Sequence, residues 1–229
     1  MSQETAPQFP FHTVEVSGAD ALQSWKYFQQ LWRKEGCSAV VIGDPDDAAN
    51  LAQNREFNTA SPRETLEVAT RIDVPEFFKD RVLAEEDYYN VEEGNWPLEL
   101  AAPIEFTSHL DLGTRKPKSK VLIAQIPTER SYEIPAYLAW GGWNECPGPA
   151  EQVAVLRHWH EKYGIEIFAI TGDVLECSVD HPPMGREECI ELAREQFIYC
   201  TDIVYQGVET LFALAALLQN SHAWFFWWD

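Results

Sequence analysis

The fold is decided by the stretch His222-Ala-Trp-Phe-Phe-Trp-Trp-Asp229, which carries three of the nine Trp residues of the chain. In an extended chain, neighbouring side chains point to opposite faces. The rings then form two sets, with Phe225 and Trp227 on one face and Trp224, Phe226 and Trp228 on the other. Both faces are apolar, which predicts a strand covered on both sides. Burial of each Trp contributes at most about 4–6 kcal/mol, so we expect the segment to belong to the core.

The preceding segments predict an α/β protein, with α+β as the alternative. We expect a C-terminal mixed β-sheet packed with about three helices, and a smaller N-terminal α/β or helical unit. A turn at Gly172-Asp173 predicts that the strands on either side of it are antiparallel. Helix 208–219 is apolar all round and too short to cross a bilayer, so we expect it to be buried. The predicted strands are 13–16, 38–42, 121–126, 165–170 and 174–179, and the main predicted helices are 19–35, 150–163, 186–200 and 208–219.

Composition divides the chain into three parts. Residues 1–106 read as an N-terminal unit, with a helix start at Ser61-Pro-Arg-Glu64 that has capping-box spacing. Residues 107–120 read as a linker or exposed loop, because 113–120 hold four of the 17 basic residues and a Pro. Residues 121–229 read as the C-terminal domain.

The formal net charge of −20 disfavours binding to nucleic acid or to anionic membranes, which requires Lys and Arg. Neither residue occurs from Val82 to Thr114 or after Arg194. This charge favours solubility, or an acidic face that docks a basic partner. No apolar run is long enough for a membrane span, and the polar N-terminus lacks the layout of a signal peptide. Five Cys without paired spacing indicate a reducing cytoplasm, and no motif predicts a cofactor.

The bend after Tyr132 is the predicted ligand site. Gly141-Gly142 allows close backbone approach, and the N–H groups of the following helix favour an anion. The alternative is a tightly packed bend whose Trp residues plug the core. His160 borders the apolar stripe of its helix, and Gln196 falls within such a stripe, where it binds the bend backbone or points into a pocket. The predicted ligand-binding residues are Trp140, Trp143, Asn144, Glu145, His160 and Gln196.

The pair His158 and His160, and separately Cys146, are candidates for metal binding or catalysis. His158 and His160 are separated by about 200° around a helix axis, so they cannot bind one metal ion together, and we predict no metal site. Cys146 lies just before a helix start, where a thiolate is favoured, but a free Cys also packs as a small apolar residue.

Four motifs follow one another in the C-terminal half. They are Trp140-Gly-Gly-Trp-Asn-Glu-Cys-Pro147, Leu156-Arg-His-Trp-His-Glu-Lys-Tyr-Gly164, Ala193-Arg-Glu-Gln-Phe-Ile-Tyr-Cys200 with Asp202-Ile203, and Trp224-Phe-Phe-Trp-Trp-Asp229. Together they resemble the bacterial family of unknown function called DUF4253. The resemblance implies a domain boundary near residue 121 and a bacterial source. It implies no reaction, because the family has no established activity.

Two functions follow as hypotheses. The first is a non-catalytic cytoplasmic binding module, of inhibitor or immunity type, that uses an acidic face or the Trp-lined bend. The second is an enzyme that acts on a small molecule at residues 141–147, with Cys146 or Glu145 as the reactive group.

Overall fold

The structure, a computed structural model, describes residues 9–84, 88, 91–98 and 103–229. Its strands are β1 (Thr13–Val16), β2 (Ser38–Val41), β3 (Val121–Ile126), β4 (Ile165–Ile170), β5 (Val174–Val179) and β6 (Ala223–Trp227). Its α-helices are α1 (Ala21–Arg33), α2 (Pro45–Phe57), α3 (Pro62–Ala69), α4 (Val74–Ala84), α5 (Ile134–Leu138), α6 (Pro149–Tyr163), α7 (Arg186–Tyr199) and α8 (Leu211–Leu218).

These strands form one mixed sheet in the order β1-β3-β2-β4-β5-β6. The pair β2–β4 is parallel, and the other neighbouring pairs are antiparallel. The predicted α/β class and the antiparallel pair around Gly172-Asp173 are confirmed. β3 lies between β1 and β2, so the sheet is continuous across the boundary that the sequence predicts near residue 121.

Local sequence explains where the helices begin and end. Ser61 and Glu64 form the predicted capping box at the start of α3, and Asp44 and Asp47 form another at the start of α2. α6 ends at Gly164, whose φ of 63° suits a residue without Cβ. α8 begins at Leu211 rather than at Val208, because residues Ile203–Val208 form a π-helical segment. Among the described helices, none is long and apolar enough to cross a membrane.

The first face of the sheet is covered by helices and holds a continuous aromatic core. Trp159 of α6 stacks on Phe226 with ring centroids 5.6 Å apart, and it meets Trp224 edge-on at 5.7 Å. Trp228 meets Tyr199 of α7 at 5.3 Å. These contacts lie within the preferred range for aromatic pairs. They join β6 to α6 and α7, as the sequence predicts for a buried terminal segment.

The second face is covered unequally. α1 packs Trp25 and Trp32 onto the β1-β3-β2-β4 side of the sheet. Over β4 and β5 the cover is a segment without helix or strand, residues 103–112, which we call the strap. Phe106 of the strap stacks on Phe168 of β4, with ring centroids 4.1 Å apart.

A buried carboxylate holds the strap against the sheet. Glu176 of β5 is fully buried, and its carboxylate accepts hydrogen bonds from the backbone N–H of Thr107, the Thr107 hydroxyl at 2.9 Å and the Ser108 N–H at 3.2 Å. Burial raises the pKa of Glu176, although these hydrogen bonds oppose the shift. An ionisable group at this position is thus tolerated because the strap supplies its partners.

The prediction that both faces of β6 are covered is right for one face and wrong for the other. Trp224, Phe226 and Trp228 are buried on the first face. Phe225 and Trp227 are only partly buried on the second face, beside the strap. β6 is one of the two edge strands of the described sheet, and on its second face the strap, α8 and the Ile203–Val208 segment border cavities beside Phe225 and Trp227.

Candidate functional site

The predicted bend is packed closely against the last strand. Trp140 is fully buried, and its indole N–H donates to the Thr171 carbonyl at 2.8 Å. Its ring lies 5.3 Å from that of Trp143 and 5.5 Å from that of Trp228. At Gly141, with a φ of 110°, a Cβ would lie 2.2 Å from the Pro147 carbonyl oxygen. Only glycine fits there, because any larger residue would clash with the backbone of the bend; the glycine is thus explained by packing within the bend.

The polar residues of the bend tie backbone segments together. Asn144 has a φ of 45°, and its Nδ2 donates to the Asp229 carbonyl at 2.5 Å. The Glu145 carbonyl accepts from Arg81 of α4 at 2.9 Å. Asn58, which sequence reasoning did not single out, donates from Nδ2 to the Ala139 and Gly141 carbonyls at 3.0 and 2.8 Å.

Cys146 belongs to a buried polar chain behind the bend. The Nε2 of Gln152 donates to its Sγ at 3.3 Å, and the Oε1 of Gln152 accepts from the Tyr199 hydroxyl. Burial raises the pKa of the Cys146 thiol well above its ordinary value, so the environment favours the neutral thiol. The sequence analysis did not predict a role for Gln152 or Tyr199. A glutamine on the apolar stripe of α6 does, however, indicate a buried hydrogen-bonded group.

No hydrogen bond or ring contact among the described residues joins His160 or Gln196 to residues 140–147 of the bend. The Nδ1 of His160 lies 2.7 Å from the Ile165 carbonyl oxygen, and its ring packs on Tyr132. Gln196 is buried, and its Nε2 has no hydrogen-bond partner among the described residues. His158 lies 3.6 Å from Glu195, and the described residues contain no cluster suited to a metal ion.

Three cavities flank the strap on the second face, and none of the six predicted ligand-binding side chains lines them. Two of the cavities, of about 270 and 260 Å³, share Thr107, Phe225 and Trp227 in their walls. We call this pair the Phe225–Trp227 cleft. Its first lobe is completed by Asp47, Ser108, Leu110, Leu112, Lys118, Thr171, Asp173 and Val174. Its second lobe is completed by Ile104, Glu105, Asp202, Ile203, Gly207, Val208, Leu214 and Leu217.

The charged groups of the cleft are mostly acidic. They are Asp47 and Asp173 in the first lobe and Glu105 and Asp202 in the second, with Lys118 as the cation. Lys118 is already neutralised, since its Nζ lies 3.1 Å from Asp44 and 3.2 Å from Asp47. Burial opposes the charge on Lys118, but these two carboxylates outweigh it and raise its pKa.

Two of the four acidic groups, Glu105 and Asp202, come from the two stretches of sequence that lack Lys and Arg, whereas Asp47 and Asp173 come from elsewhere in the chain. The strap belongs to the stretch 82–114, and the walls from α8 and β6 belong to the stretch after Arg194. Both stretches lack Lys and Arg, and the fold places them against each other. The sequence reveals the two stretches and predicts that Phe225 and Trp227 share a face, but it does not predict that the stretches and the two rings meet at one cleft.

The third cavity, of about 900 Å³, lies on the other side of the strap and has mixed charge. Its walls include Lys26, Glu166 and Asp180. Glu166 is already paired with Arg33 at 2.9 Å. Glu105 of the strap also lines this third cavity, so the cleft differs from it chiefly by the rings of Phe225 and Trp227.

Comparison with known families agrees with the sequence motifs. The model of the family described as "Domain of unknown function (DUF4253)" matches residues 122–229, just under half of the chain. The predicted resemblance of the C-terminal half to this family is thereby confirmed. Neither the curated proteins nor the solved structures yield a match to this chain.

Proposed function

We propose that this protein is a non-catalytic binding module that takes a positively charged partner protein at the Phe225–Trp227 cleft. The observation that supports this most is the meeting of the two stretches without Lys and Arg around two partly exposed rings. Rings and carboxylates together suit a cation, because the face of an aromatic ring is itself negative. An inhibitor or immunity-type protein that neutralises a basic target is one form of this function.

The net charge of −20 adds a long-range contribution. Summed over the surface, it attracts a basic partner and speeds encounter, while the apolar walls of the cleft supply affinity at short range. The bend offers less for catalysis, since Cys146 is buried and the Glu145 backbone is held by Arg81. A cytoplasmic setting forms part of the proposal, supported by cysteines that are all free, and a bacterial source remains what the resemblance to the family implies.

Capture of partners at two salt concentrations tests the proposal. Immobilised wild-type protein is exposed to bacterial lysate at about 50 mM NaCl and washed at about 500 mM, where charge attraction is strongly screened. We expect basic proteins that bind at low salt and elute at high salt. A partner that is not basic, or that stays bound at high salt, would remove the electrostatic argument.

A pair of matched variants ties the capture to the cleft. Phe225→Thr removes a partly exposed ring from the cleft, and Tyr27→Ser removes a ring that is 61% exposed on α1, away from it. We expect loss of the captured proteins with Phe225→Thr and no loss with Tyr27→Ser. Equal capture by wild type and Phe225→Thr would contradict the assignment of the cleft.

A further inference from the structure

We infer that the Phe225–Trp227 cleft recognises an alkylammonium ion, that is, an aliphatic chain ending in a protonated primary amine. Lysine side chains and free diamines share this chemistry. The inference rests on the proposed function and deepens it, because it names the chemical group that the cleft selects. It is carried by three features of the cleft: the width of its lobes, their apolar walls and the hydrogen bonds already made by its carboxylates.

The size of the lobes favours a thin chain. Each lobe measures about 260–270 Å³, close to the lower end of the range of about 300–1,000 Å³ that is usual for pockets that bind drug-sized ligands, so a single lobe holds a small group. Aliphatic side chains form much of the walls. They are Leu110, Val174 and the 73% exposed Leu112 in one lobe and Ile203, Val208, Leu214 and Leu217 in the other. Methylene groups gain about 0.8 kcal/mol each when such walls remove them from water.

The two rings lie where the lobes meet and suit the charged end of the chain. The Trp227 indole N–H donates to Asp173 Oδ2 at 3.0 Å, which fixes the ring beside a carboxylate. A cation there meets the ring face and the carboxylate together.

At Asp47 and Asp202, though not at Glu105, the occupied oxygens favour an ammonium over a bidentate guanidinium. Asp202 accepts from Gln206 on Oδ1 and from the Asp229 N–H on Oδ2, and Asp47 Oδ2 accepts from the Asp44 N–H and from Lys118. A guanidinium needs both oxygens of one carboxylate free for its planar fork. An ammonium donates three separate hydrogen bonds and uses single remaining lone pairs.

A π-helical segment forms one side of the second lobe. Glu209 N–H donates to the Val204 carbonyl at 2.8 Å, five residues back, and Gly207 lies within the wider turn. Such turns occur often at functional sites. Here the segment carries Ile203 and Val208 to the cleft and keeps Asp202 at its rim.

Calorimetric titration of the full chain with three matched probes tests the inference. The probes are hexylammonium, the neutral hexan-1-ol and pentylguanidinium, at pH 7 and low salt. We expect hexylammonium to bind at least about tenfold more tightly than either of the others. Equal binding of hexan-1-ol, tighter binding of pentylguanidinium, or no binding of hexylammonium would each overturn the inference.

Two variants assign the binding to named groups. Glu105→Gln changes an exposed carboxylate at the rim that no described residue contacts by a hydrogen bond or an ion pair, so it leaves the fold intact. We expect it to weaken hexylammonium by about threefold and to leave hexan-1-ol unchanged. We expect Phe225→Thr to weaken hexylammonium by at least about fivefold, and Tyr27→Ser to leave it unchanged. Wild-type affinity in Phe225→Thr would overturn the inference.

Two more probes separate the sources of the amine. If cadaverine binds more tightly than N-acetyl-lysine N-methylamide, the source of the amine is a free diamine. If N-acetyl-lysine N-methylamide binds more tightly, the source is a lysine side chain. Either result supports recognition of an alkylammonium ion. Failure of the inference is distinct from failure of the proposed function. If Phe225→Thr abolishes salt-sensitive capture but hexylammonium does not bind, the proposed binding function stands and only the inference that the cleft recognises an alkylammonium ion is overturned. Hexylammonium binding without salt-sensitive capture keeps the ligand and removes the protein partner.

Discussion

The two faces of β6 are made from the same kind of side chain, yet they end in different surroundings. On the first face, Trp224, Phe226 and Trp228 are enclosed by rings from α6 and α7. On the second face, Phe225 and Trp227 border two cavities, whose other walls come from the strap, from α8 and from the π-helical segment. An aromatic side chain on a strand therefore stabilises the fold or lines a cleft according to what packs over it.

The largest expected effect comes from the first face. Trp224→Ala removes a fully buried ring between Trp159 and Tyr163, and we expect it to lower the free energy of unfolding by about 3–5 kcal/mol. Trp227→Ala, on the same strand, is the control and should lower it by about 1 kcal/mol or less, since its ring is partly exposed. Urea unfolding measures both, and similar losses would break the comparison.

The next effect concerns the cover of the second face. Glu176→Ala leaves the backbone N–H groups of Thr107 and Ser108 without their carboxylate, and we expect a loss of about 2–4 kcal/mol in the free energy of unfolding. Glu166→Ala is a control on the neighbouring strand, where the carboxylate pairs with the partly exposed Arg33. It should cost about 1 kcal/mol or less. A smaller loss for Glu176→Ala than for Glu166→Ala would show that the strap does not depend on Glu176.

The pH dependence of stability sharpens the same point. Because burial raises the pKa of Glu176 in the folded state, the folded protein holds this proton more tightly than the unfolded chain does. The contribution of Glu176 is therefore fully present below the ordinary pKa of a glutamate and is lost as pH rises through the folded pKa. We expect the stability of wild type relative to Glu176→Gln to fall as pH rises from about 4 through this window. Urea unfolding at several pH values measures it, and a constant or rising difference would contradict the shift.

The smallest effect on stability is expected at the cleft itself. Phe225→Thr keeps a residue suited to a strand and removes a partly exposed ring, so the free energy of unfolding should change by less than about 1 kcal/mol. The affinity for hexylammonium should nevertheless fall by at least about fivefold. A variant that loses stability and binding in parallel would show that Phe225 belongs to the core, which would erase the difference between the two faces.

Local pattern was sufficient for much of the fold. The strands around Gly172-Asp173 are antiparallel as the turn predicts, and Ser61 with Glu64 caps α3 as its spacing predicts. The start of the last helix was wrong by a few residues, since the apolar pattern does not distinguish a π-helical segment at Ile203–Val208 from α-helix. The six predicted site residues remain a prediction. The structure joins Trp140 and Trp143, places His160 against the Ile165 carbonyl, and leaves Gln196 Nε2 without a hydrogen-bond partner among the described residues.

The sequence by itself determined that the last strand is aromatic on both faces, that residues 82–114 and 195–229 carry no Lys or Arg, and that residues 122–229 match the DUF4253 family model. These are properties of composition and spacing, which any conformation of the chain retains. The tertiary structure alone decided which face of β6 is covered and which two distant stretches meet at the other. The physical reason is that burial and electrostatic potential depend on neighbours in space, and Thr107 and Trp227 become neighbours only after the sheet forms.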